Sequence, residues 1–482
     1  MMDGNALRGA HPTCAAPFCP SERDMSSFAS LNPSTGATVR TYPAHDRAQV
    51  EAAVEAATAA WRPWAARPFG ERAAVLRAAA EVLRGRTEPY ARLMAEEMGK
   101  PLAQGRGEVE KCAWVCDWFA DQAEGYLADE TVDLGGPKAF VACRPLGPVL
   151  AIMPWNFPFW QVFRFAAPTL MAGNAGLLKH APNVFGCAEA IEDVFREAGL
   201  PPGLFASLRV DVDVVADLIA RPEVAAVTLT GSTRAGRAVG EAAGRALKPS
   251  VLELGGSDAY VILEDADLEK AADACVASRL LNSGQSCIAA KRFVVVDPVH
   301  DAFVEAFTQR MAAKRFGDPL ADASVDLGPM ARVDLRDELH RQVEASVAAG
   351  ARLALGGTVP PGPGAFYPPT VLVDVRPGMP AWDEELFGPV ASVIRAKDEA
   401  DAIRIANGTC FGLGASVWTR DVARGERIAR DQLEAGCCVV NDFVRSDPRL
   451  PFGGIKESGY GRELAAPGIR AFVNIKSVGV QP

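Results

Sequence analysis

A cysteine in a loop of small residues is the first feature of this sequence that could do chemistry. Cys287 ends the segment Asn-Ser-Gly-Gln-Ser-Cys, which begins at Asn282 and follows a stretch with helical spacing. A loop of this kind exposes backbone N–H groups, which can lower the pKa of a thiol and bind an oxyanion. The alternative is a buried, unreactive cysteine, which is the common state of a single Cys.

A glutamate and an asparagine form two further candidate sites. Glu253 ends an apolar strand and precedes Leu254 and two glycines, so partial desolvation should raise the pKa of its carboxyl and allow general-base catalysis. A strand-end Glu that faces solvent is the alternative. Asn156 lies between Pro154 and Pro158 in an apolar run. Its side-chain N–H could complete an oxyanion hole, or the residue could stabilise a turn.

The composition excludes several classes of protein. The 482 residues are 49% hydrophobic and 23% charged, which is typical of a globular protein of two or three domains. A net charge of −10 disfavours nucleic-acid and membrane partners. The five histidines are not at ligand spacing, so no metal is expected. The eleven scattered cysteines predict reduced thiols in a cytoplasmic protein.

The sequence contains no segment that predicts a secretory signal or a membrane-spanning helix. Residues 1–24 lack a basic region followed by an apolar one, and their prolines and glycines predict a disordered extension. The run 145–163 carries no charge, but its four prolines would break a spanning helix. A buried strand, a loop and a helix are predicted there instead.

Helical and strand patterns alternate along the rest of the chain. The alternation favours doubly wound parallel sheets, which bind nucleotides at the carboxyl ends of their strands, and a second α/β unit starts near Asp258. Residues 470–480 could form an edge strand. The predicted helices are 47–66, 72–98, 109–126, 185–198, 233–246, 268–281, 303–313, 335–349, 400–407 and 422–432. The predicted strands are 139–143, 149–153, 176–178, 225–229, 250–254, 293–296, 370–373 and 437–441.

Six motifs resemble, in order and spacing, those of the aldehyde dehydrogenase superfamily, over nearly the whole chain from about Leu31. The resemblance implies an α/β fold with a Rossmann-type cofactor domain, an α/β catalytic domain and a small oligomerisation hairpin. The implied NAD(P)-binding domain is 25–130 and 149–256, the catalytic domain 257–445, and the oligomerisation elements 131–148 and 465–482. The motifs are Pro-Trp-Asn-Phe-Pro at 154–158, Thr-Gly-Ser-Thr at 230–233, Glu-Leu-Gly-Gly at 253–256, Gly-Gln-Ser-Cys at 284–287, Glu-Glu-Leu-Phe-Gly-Pro at 384–389, and Pro-Phe-Gly-Gly at 451–454 with Gly459 and Gly-Arg-Glu at 461–463.

The resemblance implies oxidation of an aldehyde to a carboxylic acid. Cys287 is then the nucleophile, and Asn156 with the Cys287 backbone N–H stabilises the oxyanion. Hydride leaves the thiohemiacetal for the nicotinamide, and Glu253 activates the water that releases the acid from the thioester. Glu463 resembles a second carboxylate of the family, which relays the proton. The presence of Glu253 argues against the acylating, CoA-dependent branch.

The same resemblance implies NAD or NADP as the cofactor. Lys179 matches the lysine at the adenosine ribose, and Ser232 matches a pyrophosphate contact at a helix N-terminus. The family often has a Glu three residues after that lysine, which would bind a ribose 2′-OH and repel a 2′-phosphate. Pro182 can do neither, so both cofactors are expected. The implied cofactor-binding residues are Met153, Trp155, Lys179, Pro182, Gly231, Ser232, Leu254, Glu385 and Phe387.

A finer resemblance, at segments 177–183, 253–258 and 287–293, is to bacterial succinate-semialdehyde dehydrogenases. Trp160 and Arg164 share a helix face, and Arg164 could clamp the distal carboxylate of succinate semialdehyde. The alternative is that Arg164 pairs with an acid at a domain interface. Some relatives carry a second arginine six residues before the nucleophile, where this chain has Leu281. The implied substrate-binding residues are Trp160, Arg164, Ser286 and Ser446.

Two other functions stay open from the sequence. The first is the same chemistry on another aldehyde, such as glutarate semialdehyde or an apolar one. The second is a catalytically inactive relative with a binding or structural role, against which the intact set of Cys287, Glu253 and Asn156 argues. The oligomerisation elements imply a homodimer or homotetramer.

Overall fold

The computed structural model of the protein describes residues 27–136 and 138–481, so the predicted extension 1–24 lies outside the described residues. The strands are β1 Ser27–Leu31, β2 Thr38–Pro43, β3 Glu130–Asp133, β4 Lys138–Pro145, β5 Pro148–Met153, β6 Ala175–His180, β7 Phe205–Ser207, β8 Ala226–Thr230, β9 Ser250–Glu253, β10 Ala259–Ile262, β11 Arg292–Val296, β12 Arg352–Leu355, β13 Thr370–Val373, β14 Val390–Ala396, β15 Gly414–Trp418, β16 Cys437–Val440, β17 Gly459–Tyr460 and β18 Val473–Val480. The helices are α1 Arg47–Ala65, α2 Phe69–Gly85, α3 Thr87–Met98, α4 Leu102–Tyr126, α5 Trp160–Met171, α6 Phe185–Glu197, α7 Val215–Ala220, α8 Thr233–Arg245, α9 Leu268–Leu280, α10 Asp297–Ala312, α11 Val333–Ala348, α12 Pro380–Asp383, α13 Glu399–Asn407, α14 Val422–Asp431 and α15 Ala465–Arg470.

The first large sheet has the strand order β17-β9-β8-β5-β6-β7, in which β17 is the antiparallel edge of an otherwise parallel sheet. Strands β6 and β8 are buried along their whole length, as parallel strands covered on both faces must be. After β7 the chain returns to the other side of β5 to form β8. This reversal is a topological switch point, so the segments that follow β5 and β8 open onto a crevice.

The second large sheet has the order β12-β13-β14-β11-β10-β15-β16, and β12 is its antiparallel edge. Strands β10 and β11 are buried along their whole length. Helix α9 runs into a loop, residues 281–291, that leads to β11. This loop carries Cys287, so a buried parallel strand anchors the segment directly after the cysteine.

A small antiparallel sheet, in the order β18-β4-β3, stands apart from the two large sheets. Strand β18 pairs with β4 from Val473 opposite Pro145 to Val480 opposite Lys138. Most side chains of β3 and β18 are exposed, and Ile475 is 61% exposed. The tail that was predicted to form an edge strand therefore lies at an open edge with an apolar side chain in solvent.

The prediction of one continuous helix over residues 72–98 was wrong. The structure has two helices there, because α2 ends at Gly85 and α3 begins at Thr87. Between them Arg86 has φ −124° and ψ 23°, and its N–H donates to the carbonyl oxygen of Leu83 in a tight turn. Glycine has a low helix propensity, so Gly85 is a favourable place for the break.

A buried carboxylate joins the N-terminal hairpin β1–β2 to the start of α6. Glu97 on α3 accepts hydrogen bonds from the Ser30 hydroxyl at 2.6 Å and the Tyr42 hydroxyl at 3.1 Å. It also accepts from the backbone N–H groups of Gly186 and Cys187, both at 2.9 Å. The carboxylate thereby satisfies amides at the N-terminus of α6 that have no partner inside the helix.

Within residues 27–136 and 138–481, no helix combines the length and the apolar character needed to cross a membrane. The same residues contain no group of three or more His, Cys, Asp or Glu side chains placed to hold a metal ion.

Candidate active site

The loop that carries Cys287 starts with three consecutive residues in the left-handed region. Asn282, Ser283 and Gly284 have φ values of 54°, 56° and 76°, and such a run persists only where the surroundings hold it. The Asn282 amide donates to the Asn156 carbonyl at 2.6 Å. A Cβ on Gly284 would lie 2.2 Å from the carbonyl oxygen of Gly388, so glycine is required there. The loop is thus fixed against the segments that carry two of the other motifs.

The thiol of Cys287 is held in its neutral form. Removal from water raises its pKa to about 12, although the nearby Lys291 ammonium acts in the opposite direction. Lys291 donates to the backbone carbonyls of Ser286 at 2.8 Å and Cys287 at 2.6 Å. The sequence suggested that backbone N–H groups would lower this pKa. That direction was wrong, because the desolvation of the thiol outweighs the favourable charges.

The buried amide of Asn156 has one of its two N–H groups engaged. Its Nδ2 donates to the carbonyl oxygen of Gln285 at 3.1 Å, and its Oδ1 has no hydrogen-bond partner among the described residues. Because an amide nitrogen carries two hydrogens, a second donor remains. This donor is available to an oxygen atom that forms beside Cys287.

Two carboxyl groups and one guanidinium are buried together. Glu253 ends β9, is 2% exposed, and has no hydrogen-bond partner for either oxygen among the described residues. Burial, reinforced by the charge of Glu463, raises the pKa of Glu253 well above its ordinary range. Arg164 is also 2% exposed, lies 2.5 Å from Glu463 (Nε to Oε2) and donates to the Thr230 hydroxyl at 3.2 Å. Burial also raises the pKa of Glu463, and the Arg164 guanidinium beside it acts in the opposite direction.

Two cavities meet at Cys287. The larger, here called the α4 cavity, has a volume of about 460 Å³ and lies between α4, α5, the cysteine loop and residues 443–452. The smaller, here called the β8 cavity, has a volume of about 270 Å³ and lies beyond the ends of β5, β8 and β9. Cys287 lines both of them. A group bound in either cavity can therefore reach the sulfur.

All four residues predicted to bind the substrate line the α4 cavity. They are Trp160 and Arg164 on α5, Ser286 beside the cysteine, and Ser446 in the loop 443–452. The fold thus brings together side chains that come from three separate parts of the chain. Leu281 gives the cavity an apolar wall at the position where a second arginine was considered. The nearby Arg279 is fully buried and instead donates to the Gly284 carbonyl at 2.6 Å.

Six of the nine predicted cofactor residues line the β8 cavity. Trp155 packs edge-on against Phe387, with ring centroids 5.8 Å apart. Ser232 caps α8 by accepting from the Ala235 N–H at 3.2 Å, so the N-terminus of that helix faces the crevice. The six are Trp155, Gly231, Ser232, Leu254, Glu385 and Phe387.

The other three predicted cofactor residues lie at the ends of β5 and β6. Met153 is the last residue of β5, and Pro182 begins a short turn after β6. Lys179 is 4% exposed, and burial lowers its pKa. It pairs in register with Ile152, which lines an apolar slot of about 180 Å³ beside α8. Among the described residues Lys179 forms no ion pair, although the charge of Asp211 acts on its pKa against the effect of burial.

The sequence analysis did not name several side chains that line the α4 cavity. Those on α4 could have been found. Gln104, Glu108 and Lys111 line the α4 cavity at spacings of four and three residues, which places them on one helix face. Glu108 accepts from the backbone N–H groups of residues 159 and 160, both at 2.9 Å, and so caps α5. Lys111 donates to the Ser446 hydroxyl at 2.8 Å. The spacing of these three polar residues along one face of the predicted helix was the available signal.

Comparison with known proteins agrees with this geometry. A family model described as the aldehyde dehydrogenase family matches residues 18–478. A probable succinate-semialdehyde dehydrogenase (NADP(+)) from Synechocystis is 48% identical over 452 residues, covering 94% of this chain and 99% of that protein. Succinate semialdehyde dehydrogenase (NAD(P)+) Sad of Escherichia coli is 48% identical over 449 residues, covering 93% and 97%.

The solved structures that resemble this chain include further succinate-semialdehyde dehydrogenases. The succinic semialdehyde dehydrogenase of Streptococcus pyogenes, in complex with NADP+, superimposes with a TM-score of 0.92 at 34% identity, covering 94% of this chain and 100% of that one. The succinate-semialdehyde dehydrogenase of Burkholderia pseudomallei gives a TM-score of 0.91 at 33% identity and covers 94% of each chain. With a cysteine loop, a buried carboxyl pair and two cavities arranged as described, this chain belongs to the aldehyde dehydrogenase family.

Proposed function

We propose that this protein oxidises succinate semialdehyde to succinate, with NADP or NAD as the hydride acceptor. The observation that carries the proposal is the position of Cys287, at the junction of a cavity that holds cationic side chains and a crevice at a topological switch point. The names of the relatives that are 48% identical support the choice of substrate.

The β8 cavity has the features that a dinucleotide requires. The N-terminus of α8 can bind a phosphate, and the apolar slot beside α8 can take a purine ring. Lys179 supplies a buried cation close to that slot, and Glu385 can accept from a ribose hydroxyl. When bound, the dinucleotide supplies a nicotinamide ring that accepts a hydride.

The first half of the reaction takes place on Cys287. The thiol gives its proton to a water molecule in the cavity, and the sulfur attacks the aldehyde carbon to form the oxyanion of a thiohemiacetal. The developing oxyanion accepts from the Cys287 backbone N–H and from the free N–H of Asn156, and such donors stabilise the charge as it forms. Loss of a hydride from this carbon leaves a thioester on Cys287.

The second half of the reaction depends on the carboxyl pair. Glu253, in its ionised form, takes a proton from water, and the resulting hydroxide attacks the thioester. The tetrahedral intermediate releases succinic acid and restores Cys287. Glu463, which Arg164 holds in place, can receive the proton from Glu253 and pass it on. Overall, aldehyde, water and oxidised cofactor give acid, reduced cofactor and a proton.

The choice between the two cofactors depends on the segment after β6. Pro182 has no group to accept from a ribose 2′-OH and no charge to repel a 2′-phosphate. Lys179, three residues earlier, can approach a 2′-phosphate. The structure therefore favours the use of both cofactors, as the name of the Escherichia coli relative indicates for that protein, whereas the name of the Synechocystis relative gives NADP.

The two large sheets and the small antiparallel sheet support a division of the chain into domains and a mode of assembly. We infer an NAD(P)-binding domain at 25–130 and 149–256, a catalytic domain at 257–445, and oligomerisation elements at 131–148 and 465–482. Open edges at β3 and β18, with Ile475 exposed, support a homodimer or homotetramer. A monomer by light scattering would contradict this. The cysteines of residues 27–136 and 138–481 form no disulfide, which supports a reducing, cytoplasmic location.

Steady-state kinetics with matched aldehydes test the proposed function. Succinate semialdehyde is compared with butanal, which has the same chain length and no carboxylate, each with NAD and with NADP. We expect a large preference for succinate semialdehyde in kcat/KM and measurable turnover with both cofactors. Equal kcat/KM values for the two aldehydes would leave the family assignment intact but contradict the assignment of succinate semialdehyde as the substrate.

A further inference from the structure

Lys291 is a buried cation beside the nucleophile, and each of its three N–H donors has an acceptor. Its side chain is only 1% exposed. The ammonium donates to the backbone carbonyls of Ser286 at 2.8 Å and Cys287 at 2.6 Å, and it lies 3.3 Å from Oε1 of Glu385. Because an ammonium group carries three hydrogens, these three acceptors fix its position.

The carbonyl of Ser286 and the N–H of Cys287 belong to the same peptide group. A trans peptide group is planar, and its C=O and N–H point in opposite directions, so a contact that holds the oxygen also sets the direction of the N–H. The Ser286 oxygen accepts from Lys291 and, at 3.2 Å, from the Ala289 N–H. Among the described residues the Cys287 N–H donates to no backbone carbonyl, so it is available to an oxyanion.

The carboxylate of Glu385 is the counterion that keeps Lys291 in place. Its Oε1 also accepts from the Gly256 N–H at 3.0 Å. A Cβ on Gly255 would lie 2.4 Å from its Oε2, so glycine leaves the space that the carboxylate occupies. Glu385 and Cys287 both line the β8 cavity. Lys291 thus connects a carboxylate on the cofactor side to the backbone of the nucleophile.

The charge of Lys291 acts on the thiol as well as on the peptide group. It opposes the desolvation that raises the pKa of Cys287, and its effect is larger than that of the Arg164 charge. The thiolate is the form that attacks, so a nearby cation increases the reactive fraction. A charged donor on the Ser286 oxygen also polarises the peptide group whose N–H would meet the oxyanion.

We propose that Lys291 is a positioning residue that directs the Cys287 N–H toward the oxyanion and stabilises the thiolate before it attacks. This inference deepens the proposed function and rests on it for one step, the formation of an oxyanion on a carbon bound to Cys287. The alternative is a structural role, in which Lys291 is only the counterion of Glu385 and of the buried Asp258 carboxylate, whose pKa its charge lowers.

Lys291→Met tests the inference by comparing two rates at the same sulfur. Methionine removes the charge and the donors but keeps most of the length of the side chain. Alkylation of Cys287 by iodoacetamide at pH 8, followed by mass spectrometry of the peptide, needs the thiolate but no oxyanion. We expect it to slow about tenfold. Turnover also needs the aligned donor, so kcat should fall about 10²- to 10³-fold, with KM for the aldehyde changed less than about threefold.

Two further variants isolate the charge from the donor and from the fold. Lys291→Gln keeps an N–H donor without the charge, so it should lose as much in alkylation as Lys291→Met and less in kcat. It also carries the same comparison if Lys291→Met does not fold. The matched control is Lys270→Met, at a lysine on α9 that is 81% exposed and pairs with Asp267. Both rates should stay at the wild-type values in this control.

The outcomes separate this inference from the proposed function. If kcat falls by no larger a factor than the alkylation rate, Lys291 does not position the oxyanion donor. If neither rate changes and only the free energy of unfolding in urea falls, Lys291 is a structural counterion. If wild-type enzyme oxidises butanal but not succinate semialdehyde, the proposed substrate is wrong, and the same comparison made with butanal still decides the role of Lys291.

Discussion

The two cavities that meet at Cys287 are assembled in different ways. The β8 cavity is lined by short segments that directly follow strands, namely 154–156, 230–232 and 254–255. The α4 cavity draws on α4, α5, the cysteine loop and residues 443–452, which are far apart in the chain. Segments at the carboxyl ends of parallel strands are brought together by the sheet itself. The cofactor side therefore depends on local motifs, whereas the substrate side depends on tertiary packing.

Replacement of Cys287, which the two cavities share, should have the largest effect. Cys287→Ala removes the sulfur that forms the thioester, and we expect kcat to fall on the order of 10⁴-fold. The β8 cavity keeps its other walls, so the variant should bind NADPH with nearly wild-type affinity by fluorescence titration. A variant that kept full dehydrogenase activity would refute the nucleophile assignment.

Glu253→Gln should separate the two halves of the reaction. The glutamine cannot accept a proton from water, and we expect steady-state turnover to fall about 10²- to 10⁴-fold. A stopped-flow burst of reduced cofactor should persist, because formation of the thioester does not need this base. The absence of both burst and turnover would place Glu253 in the first half of the reaction.

The pH dependence of the wild-type enzyme follows from the same carboxyl group. Glu253 works in its ionised form, and its pKa is raised by burial. Its active fraction therefore increases as the pH rises through that pKa, and kcat should rise with pH toward neutral and alkaline values. In Glu253→Gln this rising limb should disappear. Persistence of the limb would mean that another group sets it.

Arg164→Leu should show whether Arg164 holds Glu463 in place or binds the carboxylate of the substrate. Its loss leaves the Glu463 carboxylate buried without its counterion, and breaking a buried ion pair from one side typically destabilises a protein by about 3–5 kcal/mol. We expect a lower free energy of unfolding in urea and a lower kcat with charged and uncharged aldehydes alike. Glu463→Gln combined with Arg164→Leu should recover part of the stability. A loss confined to succinate semialdehyde would instead favour Arg164 as the clamp.

The smallest predicted effect concerns the cofactor. Pro182→Glu introduces a carboxylate that can accept from a ribose 2′-OH and repel a 2′-phosphate. We expect the ratio of kcat/KM with NADP to that with NAD to fall about tenfold, with little change for NAD. Pro182→Gln, which has a similar shape and no charge, is the matched control. An unchanged ratio would mean that the 2′-position does not face this turn.

Much of the fold could be predicted from the sequence because apolar runs and glycines mark its elements. Several strands were missed, among them β7, β10, β14 and β15, and Gly85 was not taken as a helix break. In the active site, the motif residues could be named, but their electrostatics could not. The raised pKa of Cys287 results from desolvation, which only the packed structure reveals.

The contacts between distant residues were the hardest to foresee. Arg164 was predicted to clamp the substrate, with pairing to an acid as the alternative, and the structure shows its ion pair with Glu463. Lys111 reaches Ser446 across most of the length of the chain, and no local pattern encodes that contact. Helical spacing could place Lys111 on a face with Glu108, but it could not identify what that face contacts.

The carboxylate of Glu97 gives the molecule a reporter of local opening. The amide hydrogens of Gly186 and Cys187 at the start of α6 are held by this side chain, whose other bonds reach Ser30 and Tyr42 in the N-terminal hairpin. Such amides exchange with deuterium only when the segment that protects them opens. Their exchange rates should therefore follow the separation of the β1–β2 hairpin from the rest of the protein more closely than the fraying of α6. The Glu97 carboxylate thus joins two distant parts of the chain in one cooperative unit.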